Sequence, residues 1–335
     1  MKKEFWIGSY AMKGTSALQR ACLDTDAGRL HVMPVSAEAE NPSWVLPHPN
    51  GQILYTVEER VPDGGLAVFS LKEGKATMIR RLNAGSAPCH LAMDSAAEFL
   101  FVSNYMDGTL DVWMLDAEGV PQQRTDHIVH HGRGPNPVRQ EGPHIHASLV
   151  LDDYVYCTDL GLDAVFVYRL KRHDGSLTEI QRISFPAGCG PRHMAFHPDY
   201  PDCIFVNAEM GGGVYVVRRS DGSILQEVRA IPEDFADSFR VSAIRFAGNT
   251  LYLSSRECNV VTMFELKPDG LLSERAIYHH HQETPRDVWM DEAWGITADE
   301  GSEGLTLFKR ESNRLTEVGF ISIPGIRPTC IMPVI

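Results

Sequence analysis

A proline-containing entry followed by runs of alternating apolar residues recurs about seven times along this chain. The entries are Asn41-Pro42-Ser43-Trp44, Ala87-Pro88-Cys89-His90, Gly142-Pro143-His144-Ile145, Gly190-Pro191-Arg192-His193, Val241-Ser242-Ala243-Ile244, Thr284-Pro285-Arg286-Asp287 and Arg327-Pro328-Thr329-Cys330. Six of the seven carry a proline at what reads as the same place. Each entry leads into short runs rich in Val, Ile, Phe and Tyr, separated by Gly, Asn and Asp. The second unit shows this as HLAMD, FLFVSNY, MDG and TLDVWML, and the fourth as HMAFHP, IFVNAE, MGGG and VYVVRR. Period-two alternation and β-rich content make each run a strand, and the small polar residues between them make turns. The entries lie about 42 to 55 residues apart, the spacing of four-stranded propeller blades.

These features predict an all-β fold: a seven-bladed β-propeller with four antiparallel strands per blade, in which residues 1–335 form a single domain. The last entry, at Arg327, leaves room for one strand. The strand-like segments FWIGSY and ALQRACL precede the first entry. Strands from both termini are therefore expected to share one blade and close the ring, which removes exposed sheet edges.

Composition narrows the class of function. A net charge of −13 argues against nucleic-acid binding, which needs a basic face, but leaves room for a small anion held by a local arginine cluster. No apolar run approaches the ~20 residues of a membrane helix, and the first residues lack the apolar stretch of a signal peptide. Seven scattered cysteines without a C-x-x-C pair read as free thiols in a reducing cytoplasm, and neither a metal site nor a cofactor is expected. A monomer or homodimer is equally compatible with the sequence.

In a propeller blade the innermost strand lines the channel and the second returns antiparallel to it. Entries to the first strand and exits from the second therefore meet at one mouth of the ring. The entries offer His90, His144, His146, Arg192, His193 and Arg286; the exits offer Glu58, Asn104, Asp159, Glu209 and Arg256. So many cations together need an anion or carboxylate to offset them. The Gly/Pro-rich insertion 132–140 leads into Pro143 and is expected to lie over this mouth, adding Arg139 and Gln140. Each histidine read alone is as well explained by a bond between blades, and Arg192 with Glu209 by a structural ion pair. His279-His280-His281 reads as a solvated connection between blades, and Gly211-Gly212-Gly213 as a hairpin turn rather than a phosphate loop.

The segment Gly188-Cys189-Gly190-Pro191-Arg192-His193-Met194-Ala195-Phe196-His197-Pro198 resembles the G-x-G-P-R-H-x-x-F-H-P signature of the cytoplasmic seven-bladed propeller lactonases. That family includes propeller-type 6-phosphogluconolactonases and the fungal carboxy-muconate lactonizing enzymes. Pro88-Cys89-His90, Ser103-Asn104-Tyr105, Arg139-Gln140, Pro143-His144-Ile145-His146, Ile231-Pro232-Glu233-Asp234-Phe235 and Pro285-Arg286-Asp287 follow in family order across the chain. Ser255 stands where the family usually has Asn, and Ser9 and Ala11 replace threonines of its usual start.

The resemblance implies a lactonase without an obligatory metal. It maps the family's proposed site residues onto His144, Arg192, Glu209 and Arg256. Hydrolysis of a sugar lactone, first of all 6-phosphogluconolactone to 6-phosphogluconate in the pentose phosphate pathway, is the expected reaction, and a small anionic sugar lactone the expected partner. Glu209 or His144 would be the general base, if the pocket tunes its pKa toward neutrality. Arg192 and Arg256 would hold the oxyanion. His144 or His146 would protonate the leaving oxygen, and Arg286 or Arg139 would clamp a phosphate. His90, Asn104, Gln140 and His193 complete the expected substrate-binding set. The alternatives are a muconate-type lactonizing cycloisomerase, a calcium-dependent propeller lactonase and a non-catalytic propeller scaffold binding a partner.

Overall fold

A computed structural model describes all residues except 12–16, 36, 38, 73, 74, 236–239, 312, 313 and 335. Its twenty-eight strands form seven four-stranded sheets, and no helix occurs among the described residues. Blades 1 to 6 are continuous segments, residues 45–83, 88–129, 145–184, 191–229, 241–279 and 285–322. Blade 7 combines Ile326–Pro333 from the C-terminal end with Lys2–Ala11, Gln19–Asp24 and Arg29–Pro34. The blade shared between the two ends thus closes the ring as expected.

Burial explains why these sequences make blades. The second strands Ile53–Glu58, Phe99–Asn104, Cys203–Ala208 and Thr250–Ser255 are buried at every position, because both faces of each sheet pack on neighbouring blades. The outermost strands, such as Lys75–Asn83, alternate between exposed and covered residues. Between blades 4 and 5 the filling is Phe205, Val214, Val216, Ile244, Leu251 and Phe264. Fully burying Phe205 contributes roughly 2–3 kcal/mol, and truncating it to Ala would cost about 3–5 kcal/mol with the cavity included.

The innermost strands share one irregularity that decides what reaches the channel. The register slips by one residue between Pro88 and His90, Ile145 and Ala147, Pro191 and Met194, Val241 and Ile244, and Pro285 and Asp287. In blade 7 the slip falls between Gly8 and Ser9, opposite Thr329. A bulge leaves an extra residue out of the ladder and re-aims its side chain. The bulged positions are Cys89, His146, Arg192, Ser242, Arg286 and Thr329.

Four of their carbonyls, and that of Ser43 at the start of blade 1, accept bonds from the neighbouring blade. Cys89 Sγ lies 3.2 Å from the His146 oxygen. Thr158 donates to Arg192 at 2.7 Å, Asn207 to Ser242 at 2.8 Å, Ser242 to Arg286 at 2.7 Å and Thr329 to Ser43 at 2.7 Å. These bonds hold the bulges in place at five of the seven blade junctions.

The register also corrects the repeat. Ile145 pairs with Asp159 as Pro88 pairs with Asn104 and Pro285 with Asp299. The blade 3 equivalent of the entry proline is therefore Ile145, and Pro143 lies two residues earlier. His146, rather than His144, is the counterpart of Arg192. His144 occupies the preceding position, shared with Asn41, Ala87, Gly190, Arg240, Thr284 and Arg327. There the chain turns into the channel, and Asn41, Ala87 and Thr284 do so at φ of 49°, 51° and 58°. Such values in an alanine and a β-branched threonine are strained, and strain of this kind gathers at functional sites.

Candidate active site

The mouth is built from three adjacent positions of each blade. First comes the turn-in residue, then the bulged residue, and then the residue just after the second strand. The last set is defined by six equivalent bonds. The amides of Glu59, Tyr105, Leu160, Glu209, Arg256 and Glu300 donate to the carbonyls of Asn41, Ala87, His144, Gly190, Arg240 and Thr284. Tyr10 takes the same place in blade 7, opposite Arg327.

Glu209 and Arg256 were expected in this set, whereas Glu58, Asn104 and Asp159 fall one residue short of it. Period-two alternation sends those three into the blade. Glu58 meets Arg81 at 2.8 Å. Asn104 donates to Thr109 and Asp111, each at 3.0 Å, and accepts from the Gly85 amide. Asn104 is thus a blade-internal tie rather than a substrate ligand. Asp159 bonds His130 Nδ1 at 2.6 Å and accepts the His144 amide at 2.8 Å.

Glu209 is the centre of the cluster. Its Oε2 accepts from Arg192 Nε at 3.0 Å and lies 2.7 Å from an Arg256 nitrogen, while Oε1 accepts from Arg139 at 2.6 Å. Arg192 and Glu209 side chains are each 3% exposed. Burial alone would raise the Glu209 carboxyl. The opposing pull of Arg256, Arg192, His146 and Arg139 outweighs it and holds the group well below the usual carboxylate range. A carboxylate tuned toward neutrality is therefore not what the pocket makes of Glu209. Both oxygens are engaged, and it stays ionised as the counter-charge of three guanidiniums. Burial, then Arg256, pull Arg192 downward while Glu209 opposes them; an arginine in contact with a carboxylate stays charged.

The insertion does lie over the mouth, and it delivers Arg139. Asn136 Oδ1 accepts the amides of Val138 and Arg139 at 3.0 Å. Gln140 is fully buried, donates to the Leu160 carbonyl at 2.9 Å and Asp163 at 2.8 Å, and accepts from the Asn136 amide. Every polar end of Gln140 is used to anchor the loop, which corrects its assignment as a substrate ligand. Arg139 also donates to the Tyr105 hydroxyl at 3.3 Å.

Tyr105 connects this cluster to His144. The two rings stack with centroids 4.4 Å apart. His144 Nδ1 lies 2.9 Å from the Tyr105 carbonyl, so it must carry the hydrogen. Nε2 lies 3.3 Å from a Glu141 carboxylate oxygen, an acceptor, so the ring has an acceptor at both nitrogens and suits a protonated imidazole. Tyr105 was quoted in the sequence only within a motif; the signal that finds it is its blade position, shared with Glu209 and Arg256.

The other histidines cluster on Trp44 and one another. His146 meets the Tyr105 ring at 5.5 Å and the His193 ring at 5.1 Å, and its buried Nδ1 has no hydrogen-bond partner. His193 Nε2 accepts from Arg192 at 3.0 Å. His90 packs on Trp44, with centroids 4.2 Å apart. Burial first, and then nearby guanidiniums, depress all three imidazoles: His146 and His193 far below their ordinary value, His90 to about 3. They are neutral at any working pH.

Across the mouth, Arg286 donates to Glu300 at 2.8 Å and to the Tyr10 hydroxyl at 3.0 Å. Arg327 bonds the same Glu300. Here a cavity of about 560 Å³ opens between Arg240, Arg256, Arg286 and Arg327, with Glu257 and Glu300 among its walls. The Arg192–Glu209 pair is not in its wall; Arg256 stands between the two. Elsewhere, His280 is buried and lies 3.0 Å from Asp299, joining blade 5 to blade 6, so the triple histidine is not a simple solvated loop. Residues 209–212 form the expected hairpin turn. Among the described residues no group of three His, Cys, Asp or Glu side chains converges as a metal site, and no helix is long and apolar enough to cross a membrane. The seven cysteines are unpaired.

A seven-bladed ring gathers guanidiniums, carboxylates and a histidine at a single mouth, the groups a hydrolase site uses. The chain belongs to the seven-bladed β-propeller lactonase family, whose model matches residues 4–333, and it is a lactonase. It is 32% identical over 343 residues to the 6-phosphogluconolactonase of Bacillus subtilis strain 168, with 97% of each chain covered. The crystal structure of a Lactobacillus plantarum protein matches with TM-score 0.92, 28% identity and full coverage of both chains. The periplasmic gluconolactonase of Pseudomonas aeruginosa shares the fold at TM-score 0.89, with 22% identity and coverage of 100% of this chain and 99% of that one.

Proposed function

We propose that this protein hydrolyses a sugar lactone, with 6-phosphogluconolactone, opened to 6-phosphogluconate of the pentose phosphate pathway, as its first candidate substrate. The observation that carries this reading is the convergence of Arg139, Arg192 and Arg256 on Glu209 beside a histidine whose Nδ1 is held on a backbone carbonyl. The naming of the B. subtilis relative supports the sugar-lactone class, and a cavity walled by four arginines and four glutamates suits a substrate that bears both an anionic group and hydroxyls. The free thiols suit a cytoplasmic setting.

Lactone opening needs an attacking water, a stabilised oxyanion and a proton for the leaving ring oxygen. His144 is the acid–base group: Nε2 takes the proton of water and returns it to the leaving alkoxide. Nδ1–H, held on the Tyr105 carbonyl, fixes the tautomer, and Glu141 supports the transient imidazolium. Arg256, at the border between the buried cluster and the cavity, faces the developing oxyanion; a preorganised donor of this kind contributes about 3–4 kcal/mol. Glu209 keeps Arg139, Arg192 and Arg256 apart from one another's repulsion and aimed at one point. His146, neutral by burial, serves as a hydrogen-bond acceptor and not as the acid.

The test is a pH-stat assay on a panel of lactones, with the spontaneous opening rate subtracted. Rates well above background on 6-phosphogluconolactone and lower on non-sugar lactones are expected. Background rates across the whole panel would overturn the reading.

A further inference from the structure

We infer that the cavity over blades 5 to 7 is an anion subsite, in which Arg240 and Arg327 receive the phosphate of the substrate while its lactone end reaches toward Arg256 and His144. This deepens the sugar-lactone reading and rests on it. Arg240 and Arg327 occupy the same turn-in position of blades 5 and 7 that His144 occupies in blade 3. The position therefore supplies the acid–base group on one side of the mouth and two guanidiniums on the other.

Three features suit the assignment. Arg240 and Arg327 side chains are 50% and 52% exposed, against 9% for Arg256 and 3% for Arg192. The outer pair is thus reachable from solvent, and the inner pair is committed to Glu209. Each outer guanidinium is already oriented: Arg240 Nε meets Glu257 at 2.9 Å, and Arg327 bonds Glu300 and lies 5.5 Å from the Tyr10 ring. A guanidinium carries five N–H donors, so one carboxylate contact leaves donors for a bidentate hold on phosphate.

The wall also carries acceptors. Glu257 and Glu300 offer oxygens to sugar hydroxyls, which donate to carboxylates, while a phosphate can only accept. The charges of the wall nearly balance, so the phosphate is recognised by donor geometry at the rim and the sugar by the carboxylates below it. A cavity of about 560 Å³ falls within the usual range for small-molecule sites.

The experiment compares the wild type with Arg240→Gln, Arg327→Gln and the double variant on 6-phosphogluconolactone and on plain gluconolactone. Binding of the product 6-phosphogluconate is measured in parallel by calorimetry. The double variant is expected to raise KM for the phosphorylated lactone at least 30-fold, to change kcat/KM for gluconolactone less than threefold, and to lose product binding. Equal losses on both lactones, or no loss on either, would overturn the subsite. If the wild type opens neither lactone, the catalytic reading fails. The subsite is then judged by calorimetry alone: it stands if the wild type binds 6-phosphogluconate and the double variant does not, and falls otherwise.

Discussion

Blades 4 and 6 build the same ion pair and use it differently. In each, the bulged arginine meets the glutamate that follows the second strand: Arg192 with Glu209, and Arg286 with Glu300. The first pair is sealed, with both side chains 3% exposed. The second stands in the cavity wall, 17% and 8% exposed. Arg139 and Arg256 close over Glu209, whereas Arg327 and the Tyr10 hydroxyl leave Glu300 facing the opening. One backbone motif thus yields an electrostatic floor in one blade and a contact surface in another. What differs among the described residues is the covering: the insertion 132–140 brings Arg139 onto Glu209, and no such loop residue reaches Glu300.

The comparison is broken most sharply by removing each carboxylate's charge. Glu209→Gln leaves three guanidiniums without their anion, so a loss of about 3–5 kcal/mol in unfolding free energy is expected. Glu300→Gln, being partly solvated, is expected to cost about 1–2 kcal/mol, nearer the range of exposed pairs. Chemical denaturation of the two variants checks the ranking, and equal losses would erase the distinction between floor and surface.

His144→Ala is expected to lower kcat by about 10²–10⁴-fold, the usual range for an acid–base group, and to lower the melting temperature, because the ring is buried and stacked on Tyr105; His144→Gln, which keeps much of the volume, should lose the same activity with a smaller thermal shift. Gln140→Ala tests the covering itself. It leaves Asp163 and the Leu160 carbonyl short of a donor, at a cost of about 1–3 kcal/mol. Activity should fall through loss of Arg139 placement, seen as a weaker kcat on phosphorylated and plain lactone alike.

A further effect is a change of slope with pH. Each of His90, His146 and His193 is depressed in the folded chain. Below about 6.5 the unfolded chain binds protons that the folded chain does not, so stability falls as pH drops through that value. For His90 the fall levels off near pH 3. Glu209, also depressed, adds stability that is complete above about pH 4.3 and declines below it. His90→Gln should flatten the slope between pH 6 and 4 by up to about 1.4 kcal/mol per pH unit. An unchanged slope would show that His90 titrates normally.

Most of the fold was legible in the sequence because blades repeat. Strand content, turn residues and entry spacing all say the same thing in units two, four and five, and the two ends complete each other. The site was legible where a residue stands at a position that several blades share, as Arg192, Glu209 and Arg256 do. It was not legible where a single residue decides the face. A bulge adds one residue that no period-two pattern marks, so Glu58 and Asn104 stood in for Glu59 and Tyr105. The Pro143 entry sits two residues before its structural counterpart, which exchanged the places of His144 and His146. Gln140 and Asn104 carry polar groups that look alike in sequence whether they face a ligand or the backbone. Only their partners in the fold tell the two apart.

The central claim is that Glu209 is a permanent counter-charge and His144 the group that moves protons. The kcat of wild type, Glu209→Gln and His144→Ala on one lactone, with and without added imidazole, tests it directly. The account predicts that added imidazole restores part of the His144→Ala rate and none of the Glu209→Gln rate. Rescue of Glu209→Gln by a small carboxylate base together with no rescue of His144→Ala by imidazole would contradict the account.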